Sequence, residues 1–219
     1  MFGLTRSDDR VLRRLTTPSK IQDFLNALPF NFCNDGDTCY SPHTVIQKRT
    51  AHCAEGAIFA ALALRRHGYP PLVLDMEATT KDADHMIAVF RGKHGWGAIS
   101  KTNHAVLRFR DPIYTTIREL VMSYFHEYTD DDGRKSLRTY SRPLDLSRFD
   151  QRGWMTSSES VLYLVEHLMY TPHVAILSPG QSRTLRKADP IEQRMADVVE
   201  WKRSPLSSRP RSRGDGGVK

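Results

Sequence analysis

The sequence predicts an α+β fold in which a buried helix headed by Cys53 packs on a small antiparallel sheet, with further helices toward the C-terminus. Three observations predict it. Residues 53–66, CAEGAIFAALALRR, carry apolar side chains on most faces, the mark of a buried helix. Three short apolar runs follow, LVLDME (72–77), HMIAVF (85–90) and WGAIS (96–100), separated by the polar connection ATTKDAD and the turn RGKHG. Strands so closely spaced pair as an antiparallel meander. Cap and proline signals at Thr17-Pro18, Asp111-Pro112, Thr156 with Glu159, and Asp189-Pro190 announce helices on either side.

Taken in order, residues 7–15 give a weakly patterned short helix. Thr17 caps a second, with Pro18 at its first position, Ile21, Phe24, Leu25 and Leu28 on its apolar face, and Pro29 beyond its end. Residues 30–46 hold Asn, Asp, Gly, Pro and two cysteines and predict an irregular covering segment. The Cys53 helix is closed by Arg65, Arg66 and His67, and Gly68 stops it. After the three strands, a helix is expected from Asp111, with Asp111 as its cap and Ile113, Ile117, Leu120, Val121 and Tyr124 buried. Residues 129–155 predict irregular structure with an exposed turn at TDDDGRK. A helix from Thr156 buries Val161, Leu164, Val165 and Leu168, and a last one from Asp189 buries Ile191, Met195, Val198 and Val199. With no internal repeat and no linker before residue 203, residues 1–202 are expected to form one domain.

The net charge of +7 is concentrated at one end: residues 202–219 hold six Lys/Arg and one Asp, a net +5. The tail 203–219, rich in Ser, Pro, Arg and Gly, has little to bury and is expected to be disordered. No aromatic residue follows Trp201 to stack on a base, which argues against nucleic acid as a partner. No apolar run approaches a membrane span, and MFGLTRSDDRVLRRL lacks an apolar signal core. Three cysteines, Cys33, Cys39 and Cys53, then fit reduced thiols and a cytoplasmic setting.

Chemistry gathers around Cys53. At a helix N-terminus, the dipole and the free amide groups favour thiolate over thiol. His85 opens the second strand, and the Trp96–Ser100 run lies beside it in the meander. A histidine near the thiol takes its proton and later protonates the leaving amine, while a group on the neighbouring strand orients the imidazole. Gln47, six residues before Cys53, would join the Cys53 amide N–H in holding the oxyanion.

The segments AHCAEGAIFAALALRRHGYPPLVLDME, DHMIAVF and GWGAIS together resemble the transglutaminase-like cysteine peptidase superfamily over residues 45–103, and the whole chain resembles an uncharacterised bacterial group within it. The resemblance implies a papain-like fold. It also implies a hydrolase or acyltransferase that acts on a peptide or a glutamine side chain, with Cys53 as nucleophile and His85 as acid and base. No cofactor is required. The family carries an Asp four residues after the strand tryptophan, where this chain has Ser100. Ser100 or Asn103 would then orient the ring; Asp82, Asp84 and Asp111 suit the role less well. A neutral orienting group leaves a second reading open: a non-catalytic module of the same fold that binds a peptide or protein partner.

The other residue types carry weaker signals. Cys33, Cys39, His43 and His52 are zinc-type ligands, yet the spacing C-x5-C-x3-H lacks the short paired cysteines of structural zinc sites, and no metal is expected. His67, His94, His126, His167 and His173 have no paired spacing and read as surface or locally bonded residues, and His104 is a candidate substrate contact. Glu55 and Asp75 read as structural charges, and Tyr124–Tyr128 as core. No phosphate-cradling glycine loop or dinucleotide fingerprint is present.

Overall fold

The computed structural model describes residues 3–33 and 38–202. The expected disordered tail, 203–219, lies outside them. Four helices come first: α1 (Arg6–Arg14), α2 (Pro18–Asn26), α3 (Pro42–Lys48) and α4 (Cys53–Arg66). Strands β1 (Leu72–Ala78), β2 (His85–Arg91), β3 (Trp96–Ile99) and β4 (Arg110–Tyr114) follow, then α5 (Ile117–Met122). The remainder comprises β5 (Leu137–Ser141), β6 (Leu144–Asp145), α6 (Leu162–Met169), β7 (His173–Ala175), α7 (Pro179–Arg183) and α8 (Pro190–Ala196). Short 3-10 turns span Phe125–Glu127 and Leu146–Arg152.

The fold is α+β, built on an open, seven-stranded antiparallel sheet in the order β4-β3-β2-β1-β5-β7, with β6 also pairing with β1. The expected antiparallel meander β1-β2-β3 is its centre, with Asp75 opposite Met86 and Ala88 opposite Ile99. Both faces are covered, which is why these strands read as apolar runs and not as alternating ones. Val73, Met86, Ala88 and Phe90 pack against α4, in which every residue from Ala54 to Leu64 is buried. On the other face Leu74, Met76, Ile87 and Val89 meet Leu120, Val121, Tyr124 and Tyr128.

Several expectations are corrected. Asp111-Pro112 does not open a helix; it lies in β4, and α5 starts at Ile117 with Thr116 as its cap. Proline is tolerated there because β4 is an edge strand, and Ile113 is correspondingly exposed. The segment 30–46 is not wholly irregular: Ser41 caps α3, with Pro42 at its first position. Residues 129–155 supply β5 and β6, which complete the sheet beside β1. The helix expected from Thr156 begins only at Leu162, because the Ser157 hydroxyl accepts the Glu159 amide and makes a local turn instead. The last helix has its reciprocal cap between Asp189 and Glu192, but Ile191, Met195, Val198 and Val199 are exposed. No helix among the described residues is long and apolar enough to cross a membrane.

Candidate active site

Cys53 is the first residue of α4, so its amide N–H precedes the helical hydrogen-bond ladder. The cap before it is His52, in extended conformation, with Nδ1 3.2 Å from the Ala54 amide nitrogen. Three residues on, Glu55 Oε2 accepts the His52 amide N–H at 2.8 Å, closing a reciprocal cap. The helix N-terminus is therefore fixed on both sides of the thiol.

His85, the first residue of β2, is 6% exposed. Its Nε2 lies 2.7 Å from Ser100 Oγ, and the Ser100 hydroxyl donates to the Leu107 carbonyl at 2.5 Å. A serine has one proton to give; with that proton on Leu107, Oγ receives Nε2–H from His85. The neutral ring therefore carries its proton on Nε2 and turns Nδ1 to other partners. Cys53 lies within hydrogen-bond reach of the side chains of both His85 and His52. Burial alone would raise the thiol's pKa, but the hydrogen bonds and charges of the two imidazoles outweigh it and hold Cys53 well below 9.0. Cys39, by contrast, is pushed well up by burial and by the neighbouring negative groups.

The support around Ser100 comes from residues that the sequence gave no reason to select. Gln22 on α2 grips its main chain from both sides: Nε2 donates to the Ser100 carbonyl at 2.8 Å and Oε1 accepts the Ser100 amide at 2.9 Å. Leu107, the acceptor of the Ser100 proton, sits at φ +60°, a conformation rare outside glycine. Its amide donates to Glu127 Oε2 at 2.6 Å, and Glu127 pairs with Arg110. Lys101, buried by α2, donates from Nζ to the carbonyls of Leu25 and Leu28, and burial draws its pKa down to about 8. Gly56, a glycine that costs helix propensity inside a buried helix, is the one sequence feature that could have pointed to this packing.

The other candidates fall elsewhere. Asn103 does not reach the imidazole. Its side chain donates to the Trp201 carbonyl and accepts the Trp201 amide, both at 2.9 Å, and so ties down the segment after α8. Gln47 is exposed on α3 and does not line the cleft that holds Cys53. That cleft, of about 280 Å³, is walled by the loop 101–107, by Asp84 and His85, and by Ala196 and Asp197. His104 lines it, with Nδ1 2.7 Å from the Ala196 carbonyl. His43 is turned away onto Asp8 Oδ2 at 2.9 Å, and no group of three or more His, Cys, Asp or Glu among the described residues is placed to hold a metal ion. His173 is paired with Asp75 at 3.3 Å.

Compared with family models and with curated proteins, the sequence matches none.

Proposed function

We propose that the chain is a transglutaminase-like, papain-like cysteine acyltransferase or hydrolase acting on an amide, either a peptide bond or a glutamine side chain. The observation that carries this reading is the line Cys53–His85–Ser100: a thiol of lowered pKa at a helix N-terminus, an imidazole within reach, and a fixed acceptor on its far nitrogen.

In the reaction, His85 takes the Cys53 proton. The thiolate attacks the amide carbonyl, forming a C–S bond, and the Cys53 amide N–H faces the developing oxyanion. His85 returns the proton to the leaving nitrogen as the C–N bond breaks. Water or an amine then attacks the thioester; His85 accepts its proton, and as the C–S bond breaks it gives that proton back to the departing sulfur. Gln47, exposed on α3, has no part in this scheme, and Asn103 holds a wall of the cleft instead of the ring.

The test is intact-mass analysis after incubation with glutamine-containing peptides, with and without a primary amine. An acyl adduct on Cys53 that is absent in Cys53→Ala and sharply reduced in His85→Ala supports the reading. Peptide binding that survives Cys53→Ala, with no adduct or product from the wild type, favours the non-catalytic module. The neutral Ser100 is the observation behind that alternative.

A further inference from the structure

The thiol has two imidazoles beside it, and they are backed differently. Behind His85 stands the neutral Ser100 hydroxyl. Behind His52 stands a carboxylate: His52 Nε2 is 3.4 Å from Glu55 Oε1 and 3.3 Å from the Thr38 carbonyl. The Glu55 side chain is fully buried. Oε1 accepts the Tyr40 amide at 2.8 Å, Oε2 accepts the His52 amide at 2.8 Å, and Asn31 Nδ2 lies 3.1 and 3.0 Å from the two oxygens. All these donors are neutral. The one side chain able to carry positive charge that is paired with Glu55 among the described residues is His52. A carboxylate so deeply buried is strongly unstable without a countercharge.

We infer that His52 is a second catalytic histidine: a standing imidazolium, held by Glu55, that stabilises the Cys53 thiolate and leaves proton movement to His85. The inference rests on the reading of Cys53 as a nucleophile. Charges then alternate along the line Glu55, His52, Cys53. No bond is made or broken at His52. Its proton stays in place through the cycle, while the proton lost by Cys53 travels on His85 as before.

A neutral His52 would accept the Ala54 amide at Nδ1. The charged ring gives up that bond and is left with its side-chain hydrogen bonds to Cys33 and Cys53, and its positive charge at a helix N-terminus is opposed by the dipole. Glu55 and the thiolate offset that opposition. The balance agrees with a His52 pKa of about 11: burial pushes it down, and the hydrogen bonds to Cys33 and Cys53, with the charges of Cys53 and Glu55, more than reverse the effect. The titratable groups that face the ring are Cys33, Cys53 and Glu55. This arrangement supplies, from the helix side, the negative charge and fixed imidazolium that Ser100 does not supply from the sheet side.

The experiment follows Cys53 alkylation by iodoacetamide against pH, read by peptide mass spectrometry in the full chain, for wild type, His52→Gln, His52→Lys, Glu55→Gln and His85→Ala. Loss of the standing charge predicts that the inflection in His52→Gln rises by at least one pH unit, a tenfold or greater loss of rate below the wild-type inflection. Glu55→Gln moves it in the same direction, and His52→Lys, which keeps the charge without the ring, restores at least half of the shift. If His52→Gln keeps the wild-type inflection while His85→Ala raises it, the inference falls and the nucleophile reading stands. If wild-type Cys53 itself titrates as an ordinary thiol, both fall. Should His52→Gln lose its cooperative melt, His52→Lys decides: a low inflection supports the standing charge, and one in the ordinary thiol range overturns it.

Discussion

A Cβ placed on Gly56 would stand 2.4 Å from Lys101 Cβ, closer than real Cβ atoms approach. Gly56 lies one turn into α4 from Cys53, and Lys101 follows Ser100 directly. The missing side chain therefore lets the thiol's helix close on the strand end that orients His85. The Lys101 stem has no freedom to yield, because Nζ is held on the Leu25 and Leu28 carbonyls. Gly56→Ala gains up to about 1 kcal/mol of helix propensity but incurs about 1–3 kcal/mol of overpacking. A net loss is expected in the denaturant midpoint, together with slower alkylation of Cys53. A stabilised variant with unchanged alkylation would contradict this account of the packing.

Ser100→Ala removes the acceptor on His85 Nε2 and the donor to Leu107 together. The loss of one neutral hydrogen bond, about 1 kcal/mol, predicts a five- to tenfold fall in the rate of Cys53 acylation. Binding of peptide should change little, since the hydroxyl is turned to His85 and Leu107. Equal losses in binding and rate would place Ser100 in substrate contact instead.

Asn103 acts on access, not on chemistry. It clamps Trp201 through both its amide atoms, its carbonyl accepts the Glu200 amide, and Ala105 N–H is bonded to the Val198 carbonyl. Ala196 and Asp197 are thereby held against the cleft. Asn103→Ala should speed alkylation by a bulky maleimide severalfold while leaving iodoacetamide nearly unchanged. Equal effects on both reagents would mean that the wall formed by Ala196 and Asp197 does not limit entry.

Asp75 carries a pH signature in the stability of the fold. Burial first, then the charge of Asp84, raises its pKa from 3.8 to about 6 against the pull of His173. Below 3.8 both folded and unfolded chains hold this proton. Between 3.8 and about 6 the unfolded chain loses it first, so stability falls as pH rises, by about 3 kcal/mol when complete. Asp75→Asn lacks that fall. Its stability relative to wild type should therefore rise between pH 3.5 and pH 7, as read by urea midpoints; a constant difference would contradict the burial argument.

The parts of this molecule that were legible in the sequence are those governed by local pattern. The run from Ala54 to Leu64 declared a buried helix, Thr17-Pro18 declared its neighbour, and the three apolar runs declared the meander. Local signals misled where tertiary context reassigned them. Asp111-Pro112 has the form of a helix start, but an edge strand accepts proline equally well. The apolar positions of α8 follow a helical period, yet Ile191 and Met195 face outward. At the site, Cys53 and His85 were candidates from the order of helix and strands, and Ser100, with Asn103 as its alternative, from the family resemblance; the structure sets Ser100 against His85 and His85 against Cys53. Gln22 and Leu107 could not be found so, because their role depends on contacts 78 and 7 residues away in sequence that no spacing rule encodes. His52 and Glu55 were visible only as possible ligand and structural charge; their bearing on the thiol comes from the capping geometry.

The measurement that bears most directly on the central claim is the pH dependence of Cys53 alkylation in wild type and in His85→Ala. An imidazole in contact with the thiol predicts a wild-type rate that persists well below the ordinary thiol range of about 8.5, with an inflection that moves upward when His85 is removed. An inflection in the ordinary range, indifferent to His85, would contradict the nucleophile and leave the cleft as a binding site.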